Sequence, residues 1–328
     1  MSETGAKIQM VRPVAAKRTQ TAETSSTVSD EKSSQSSQDI PDVKGQPTTW
    51  ALFAQSLFQV RGSHSYCCAV LPNPLLPKKE KGDHLASLAS WVTILRIMGD
   101  LPDSEYGDNI ELAGTTPPVI ACVKQNFHRK YGKKDVDEAQ KKYTELFKDP
   151  AHAEVKDIPF LPSNSASMLD KVQYVCGLGI YRPEIRDELY CQVCKQLTNN
   201  PSRNSTVRGW VLLLMFAGSF SPTERFSPCF LQFLRDSPPV FASRVEKLLR
   251  RTFIVGTRGY PPSWLEFQAA KNGKPILIPV ALMNNHRMLV NSDSATTVQE
   301  ICRQIAHRTN LKDPAGFSIY ITLQQKAS

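Results

Sequence analysis

The sequence predicts a mainly α-helical chain: a multi-helix body over residues 50–258, then a smaller α+β unit over residues 274–328. Three observations predict it. Apolar residues recur at helical spacing through most of residues 50–256. Trp210 to Ala217 is an unbroken apolar run, the mark of a helix buried on every side. Beyond Pro275 the pattern changes to short alternating strands around one capped helix. At 328 residues there is room for about two domains.

Residues 1–49 are rich in Ser, Thr and Gln, lack aromatics, and are expected to form a disordered leader. They hold six basic and six acidic residues, so the whole net charge of +9 belongs to residues 50–328. The first helix is expected from Trp50 to Phe58. A loop from His64 to Lys81 follows and ends in Lys78, Lys79 and Lys81. His84 to Met98 reads as amphipathic, with Leu85, Leu88, Val92, Leu95 and Met98 on one face and Gly99 as its stop. Pro117 to Tyr131 and Asp135 to Phe147 read as two further helices, the second N-capped by Asp135.

Ser165 or Ser167 should cap a helix running to Gly177, and Pro183 should open the next, where its missing N–H costs nothing. Ser221-Pro222-Thr223-Glu224 has the form of a capping box. Pro239 to Phe253 closes the helical series with Lys247, Arg250 and Arg251 near its end, where positive charge suits the helix dipole. Pro275 to Leu282 and Arg287 to Val290 are expected strands, joined by a positive-φ turn at Asn284-Asn285. A helix should lie between Ser294 and Arg308, and Phe317 to Leu323 should be a third strand. Strand, strand, helix, strand opens a ubiquitin-like fold, leaving an unpaired edge in what looks like a truncated unit.

The stretch RDELYCQVCKQLTNNP, Arg186 to Pro201, concentrates the candidate chemistry. Cys191 and Cys194 fall at i, i+3 on one helix face. A structural zinc site needs four ligands; Cys67-Cys68 is adjacent rather than spaced, and no two of the six histidines stand three to five residues apart. Redox CxxC pairs open a helix after a strand, whereas this pair lies mid-helix. Small cysteines packing a helix seam account for it better. Asp187 and Glu188 project about 100° apart and do not converge on a substrate; with Arg186 and Lys195 they read as a salt-bridge and capping network. The sequence contains no nucleophile elbow, HExxH or Walker loop. No catalytic residue, cofactor or metal ligand is expected.

Trp210 to Ala217 is far shorter than the ~20 residues of a membrane span. Eight cysteines with no signal-peptide pattern read as reduced cytosolic thiols. The positive body should attract acidic partners. Its clusters lack the interleaved aromatics that nucleic-acid stacking uses, which favours protein partners over RNA or DNA.

Several segments carry a family resemblance. Ile97-Met98-Gly99-Asp100, Arg182 to Pro201, Arg208-Gly209-Trp210 and Arg250-Arg251-Thr252-Phe253 resemble the myosin tail homology 4 (MyTH4) domain. Gly256-Thr257-Arg258 with Pro261-Pro262-Ser263-Trp264-Leu265-Glu266 resembles the linker from that domain into a FERM domain, a linker that the resemblance implies over residues 259–273. Lys274 to Leu323, with Asp293-Ser294-Ala295-Thr296-Thr297, resembles the first, ubiquitin-like FERM lobe (F1). His64-Ser65-Tyr66 and Ala89 to Pro102 are similar to the first MyTH4–FERM unit of class VII unconventional myosins.

The resemblance implies a MyTH4 bundle followed by a partial FERM F1 lobe, acting as a non-catalytic adaptor in the cytoplasm on the cytoskeleton. The implied partners are acidic segments of scaffold or cargo proteins, with tubulin a further candidate. Actin would be reached only through a motor that this chain lacks. Charge and general family behaviour single out Arg244, Lys247, Arg250 and Arg251, with Lys78, Lys79 and Lys81 second. The competing expectations are a zinc- or thiol-dependent protein using Cys191 and Cys194, or a non-functional fragment of a longer myosin.

Overall fold

The computed structural model describes residues 7–11, 49–59, 64–69, 71–101, 132–148, 167–313 and 315–322. The expected helix Pro117 to Tyr131 and the alternative cap Ser165 lie outside them, as does most of the leader. The chain divides into two compact units, residues 45–274 and residues 1–44 with 275–328.

The larger unit is helical: α1 (Trp50–Leu57), α2 (Lys81–Met98), α3 (Lys133–Lys148), α4 (Met168–Tyr181), a 3-10 turn (Pro183–Ile185), α5 (Arg186–Leu197), α6 (Arg203–Ala217), α7 (Ser227–Arg235), α8 (Pro239–Val255) and α9 (Trp264–Asn272). Two helices form its centre. In α6 every residue from Gly209 to Ala217 is buried, as the apolar run predicts. α2 packs against α3, α4, α5 and α6 and is buried all round from Leu85 to Met98, so the amphipathic reading of that helix is corrected. Its buried hydroxyls survive by bonding locally. Ser87 Oγ donates to Asp83 O (2.7 Å), and Thr93 Oγ1 to Ala89 O (2.8 Å).

The helix boundaries follow local chemistry. Ser167 caps α4 in a reciprocal box with Asp170. Asp135 is not the cap of α3; it lies inside the first turn and accepts from the Gly132 N–H (2.7 Å). α7 begins at Ser227 rather than near Ser221, because Thr223 is held by another helix. Gly179 of α4 meets the Phe220 ring: a Cβ there would lie 2.2 Å from Phe220 Cζ, so only glycine allows this approach. Phe220 in turn packs edge-on to the buried Tyr190.

Residues 259–273, the expected linker, contain a helix. Ser263 caps α9 in a second reciprocal box with Glu266, and α9 packs on α6. Arg258 forks onto both Glu266 oxygens (2.6 and 2.8 Å), Tyr181 Oη donates to Gly259 O (2.9 Å), and Gln173 Nε2 donates to Pro262 O (2.9 Å).

The smaller unit contains β1 (Lys7–Val11), β2 (Ile276–Ala281), β3 (Arg287–Ser292), α10 (Val298–Arg308) and β4 (Ser318–Thr322). Val280, Val290, Ile301 and Ile305 form its core, with Ile278 and Ile319 packed against them. The β2–β3 turn holds Asn285 at φ 61°, as its sequence predicts. Thr297 caps α10 with Glu300 as reciprocal partner. The expectation of a leader without structure is corrected at Lys7–Val11, which forms a strand in this sheet. Where three strands were expected, the described residues of this unit form four, in the order β3-β2-β1-β4.

Candidate functional site: a polar helix rack and a basic helix face

α5 carries the RDELYCQVCKQL stretch, and its cysteines are core. Cys191 and Cys194 are fully buried in the main hydrophobic cluster, and burial pushes both thiols well above their ordinary range. A buried thiol held protonated is a poor nucleophile. Among the described residues no group of three or more His, Cys, Asp or Glu is placed to hold a metal ion.

The polar residues of α5 hold backbone from elsewhere in the chain. Arg186 Nε donates to Gly179 O (2.7 Å) at the end of α4. Asp187 accepts from the Thr223 N–H (2.8 Å) and Oγ1 (2.6 Å). Glu188, fully buried, accepts from the N–H groups of Leu75 (2.9 Å) and Leu76 (2.7 Å) and from Gln192 Nε2 (2.9 Å). Lys195 Nζ donates to Ser65 O (2.6 Å), and Gln196 Nε2 to Cys67 O (2.5 Å). The two carboxylates therefore diverge, as their 100° separation requires. The expected salt-bridge network is built instead from side-chain hydrogen bonds to distant backbone.

These bonds make α5 a rack for the irregular segments 64–69 and 71–76. Side chains from other elements hold the rest of them. Trp50 Nε1 donates to His64 O (3.1 Å), Trp91 Nε1 to Ala69 O (3.0 Å), and Gln59 Nε2 to Pro74 O (3.2 Å) and Leu76 O (3.0 Å). Partly buried backbone without secondary structure must find hydrogen-bond partners, and here α5 supplies half of these side-chain bonds. Glu188, Gln192, Lys195 and Gln196 fall at i, i+4, i+7 and i+8. That buried polar stripe was readable as a period, although its partners were not. Burial pushes the Glu188 carboxyl upward, opposed by the Lys78 charge and by its hydrogen-bond donors.

The basic candidates lie on separate elements. Arg244, Lys247 and Arg251 follow one another at i, i+3 and i+7 on α8, with Arg250 beside them. Lys247 and Arg250 are exposed and Arg244 and Arg251 half-buried. Glu246 pairs with Arg250 at 2.7 Å. Ala242, Val245, Leu249 and Thr252 hold the opposite face against the helical body. The face continues into Ile254 and Val255, which are 77% and 65% exposed. Lys79 and Lys81 are exposed before and at the start of α2, whereas Lys78 Nζ donates to Glu184 O (3.1 Å) and helps to hold the fold.

Comparison with known proteins adds the family. Residues 172–269 match the MyTH4 domain model, and residues 274–328 match the RA like domain model. The chain carries a MyTH4 domain followed by an RA-like, FERM-type domain. It is 38% identical to Drosophila melanogaster myosin-VIIa over 312 residues, covering 84% of this chain and 14% of that protein. It is 38% identical to mouse unconventional myosin-VIIb over 288 residues, 85% of this chain and 13% of the relative. The chain thus spans about a seventh of the length of these curated relatives. The MyTH4–FERM MF1 domain of Dictyostelium discoideum myosin VII shares the fold, with a TM-score of 0.57 at 19% identity over 84% of this chain and 48% of that one. The human myosin 7b C-terminal MyTH4–FERM domain, solved with the harmonin-a PDZ3 domain, gives 0.51 at 22% identity over 84% and 46%. MyTH4–FERM domains are non-catalytic tail modules of myosins. The α5 rack lies inside the MyTH4 match, and so does the whole of α8.

Proposed function

We propose that this chain is a cytoskeletal and cargo-binding adaptor module of the myosin VII tail type, working in the cytoplasm. It takes acidic segments of partner proteins, or the acidic surface of microtubules, on the α8 face formed by Arg244, Lys247, Arg250 and Arg251. Lys79 and Lys81 form a second basic site, with Lys78 beside them. The observation that carries this reading is the α8 face itself, where four cations on adjacent turns run into the exposed Ile254 and Val255. Such a surface suits an acidic segment that also carries apolar side chains: charge steers the encounter, and apolar burial slows dissociation. The body supplies the matching field, since residues 50–328 hold the entire +9.

The test is charge reversal. A variant carrying Lys247→Glu, Arg250→Glu and Arg251→Glu should bind tubulin at low salt about tenfold more weakly, or worse, because like charges replace complementary ones. Its helical content should be unchanged. Equal affinity of the variant and the parent at low salt would remove the site from α8.

A further inference from the structure

The sheet of the smaller unit contains a strand from the far side of the helical unit in sequence. β1 lies between β2 and β4. It runs parallel to β2, with Ile8 opposite Val280 and Gln9 opposite Ala281. It runs antiparallel to β4, from Lys7 opposite Thr322 to Val11 opposite Ser318. β2 and β4 do not pair with each other, so among the described strands β1 alone makes one sheet of the β2–β3 hairpin and β4. With its position empty, β2 and β4 would face each other across two strand spacings, roughly 9–10 Å, too far for direct hydrogen bonds. Each would present a row of unpaired backbone groups.

The residue pattern of β1 matches this position in register. Directly paired residues share one face of a sheet. Ile8 is paired with Val280, which is fully buried in the unit's core, and Met10 with Ile319, which packs on that core. Gln9 is paired with Tyr320, which is exposed. The register therefore sets Ile8 and Met10 opposite residues of the core and Gln9 opposite an exposed one. A slip of one residue would exchange the two sets.

We infer that residues 7–11 are a donor strand acting in cis, and that the position between β2 and β4 is a strand-binding site filled by this chain's own N-terminal segment. The RA-like unit is then a non-covalent complex of two parts of one polypeptide, with residues 45–274 inserted between them. Removal of the strand would open two sheet edges at once.

Two measurements on the full chain test this. In Gln9→Pro the substituted residue cannot donate to the ladder of a central strand. Amide hydrogen exchange in residues 276–281 and 318–322 should then rise about tenfold or more, with α5 and α6 unchanged. Unaltered exchange in those strands would overturn the proposal. For the second, Gln9→Cys with Tyr320→Cys places thiols at a directly opposed pair, within disulfide reach. Oxidation should give an intrachain link in a monomer, mapped by mass spectrometry. Gln9→Cys with Ile319→Cys, one residue out of register, should stay reduced. A link joining two copies would overturn the cis assignment, and equal linking of both pairs would overturn the register.

Discussion

Replacing Glu188 by Gln tests whether α5 works as a rack. The carboxylate gives one oxygen to the Leu75 N–H at 2.9 Å and the other to the Leu76 N–H at 2.7 Å. An amide of the same shape can satisfy only one of these donors, because its NH2 end must face the other. One buried N–H is thereby stranded, at a cost of about 1–3 kcal/mol. Glu188→Ala strands both and opens a cavity, which raises the loss to about 3–5 kcal/mol. Denaturant unfolding of the helical unit reads the difference, and amide exchange across residues 71–77 localises it. Acidity supplies a second readout. Burial raises the folded-state pKa of Glu188 above its unfolded value near 4.5. Between that value and the folded pKa the native state holds the extra proton, so this group lowers stability as pH rises through that window. That component should vanish in Glu188→Gln. A Gln variant within about 0.5 kcal/mol of the parent, with unchanged exchange in residues 71–77, would refute the rack.

Three further outcomes follow from the same structure. Gly179→Ala would gain up to about 1 kcal/mol of helix propensity but drive its methyl into Phe220, costing about 1–3 kcal/mol, so thermal unfolding should show net destabilisation. Asp83→Asn removes the countercharge of a buried ion pair with Arg182, whose side chains are both 8% exposed, and should cost about 3–5 kcal/mol in chemical unfolding. Alkylation of the folded protein near pH 8, mapped by mass spectrometry, should label the exposed Cys68 first among the described cysteines and leave Cys191 and Cys194 untouched; early labelling of that pair would restore the thiol reading.

Local signals carried much of the fold. The apolar run of α6, the Ser167 cap, the turn at Asn285 and the capped α10 each rest on chemistry within a few residues, and each appears where the sequence places it. The failures have long-range causes. Ser221 to Glu224 looks like a helix start, yet Thr223 is claimed by Asp187, 36 residues earlier, and α7 opens only at Ser227. α2 reads as amphipathic because its Ser and Thr positions satisfy themselves within the helix and hide its central place. The Ser263–Glu266 box lies in plain view, yet the family resemblance marks residues 259–273 as linker. The alternation of Lys7 to Val11 was also present, and what no local pattern could supply was its partner strands, which lie beyond the helical unit. The α5 stretch suggested chemistry and turned out to hold the molecule together, with its acids and amides committed to backbone donors and acceptors.

The adaptor reading is tested most directly by the salt dependence of binding on α8. A fluorescent acidic peptide with two or three apolar residues would be titrated with the parent chain and with the Lys247, Arg250 and Arg251 reversal at two ionic strengths. The parent should bind at low salt and weaken as ionic strength shortens the screening length from about 30 Å at 0.01 M to about 8 Å at 0.15 M. The reversal should lose both the affinity and its salt dependence. Binding by the parent that ignores salt, or a reversal that tracks it at both ionic strengths, would contradict an acidic partner on this helix.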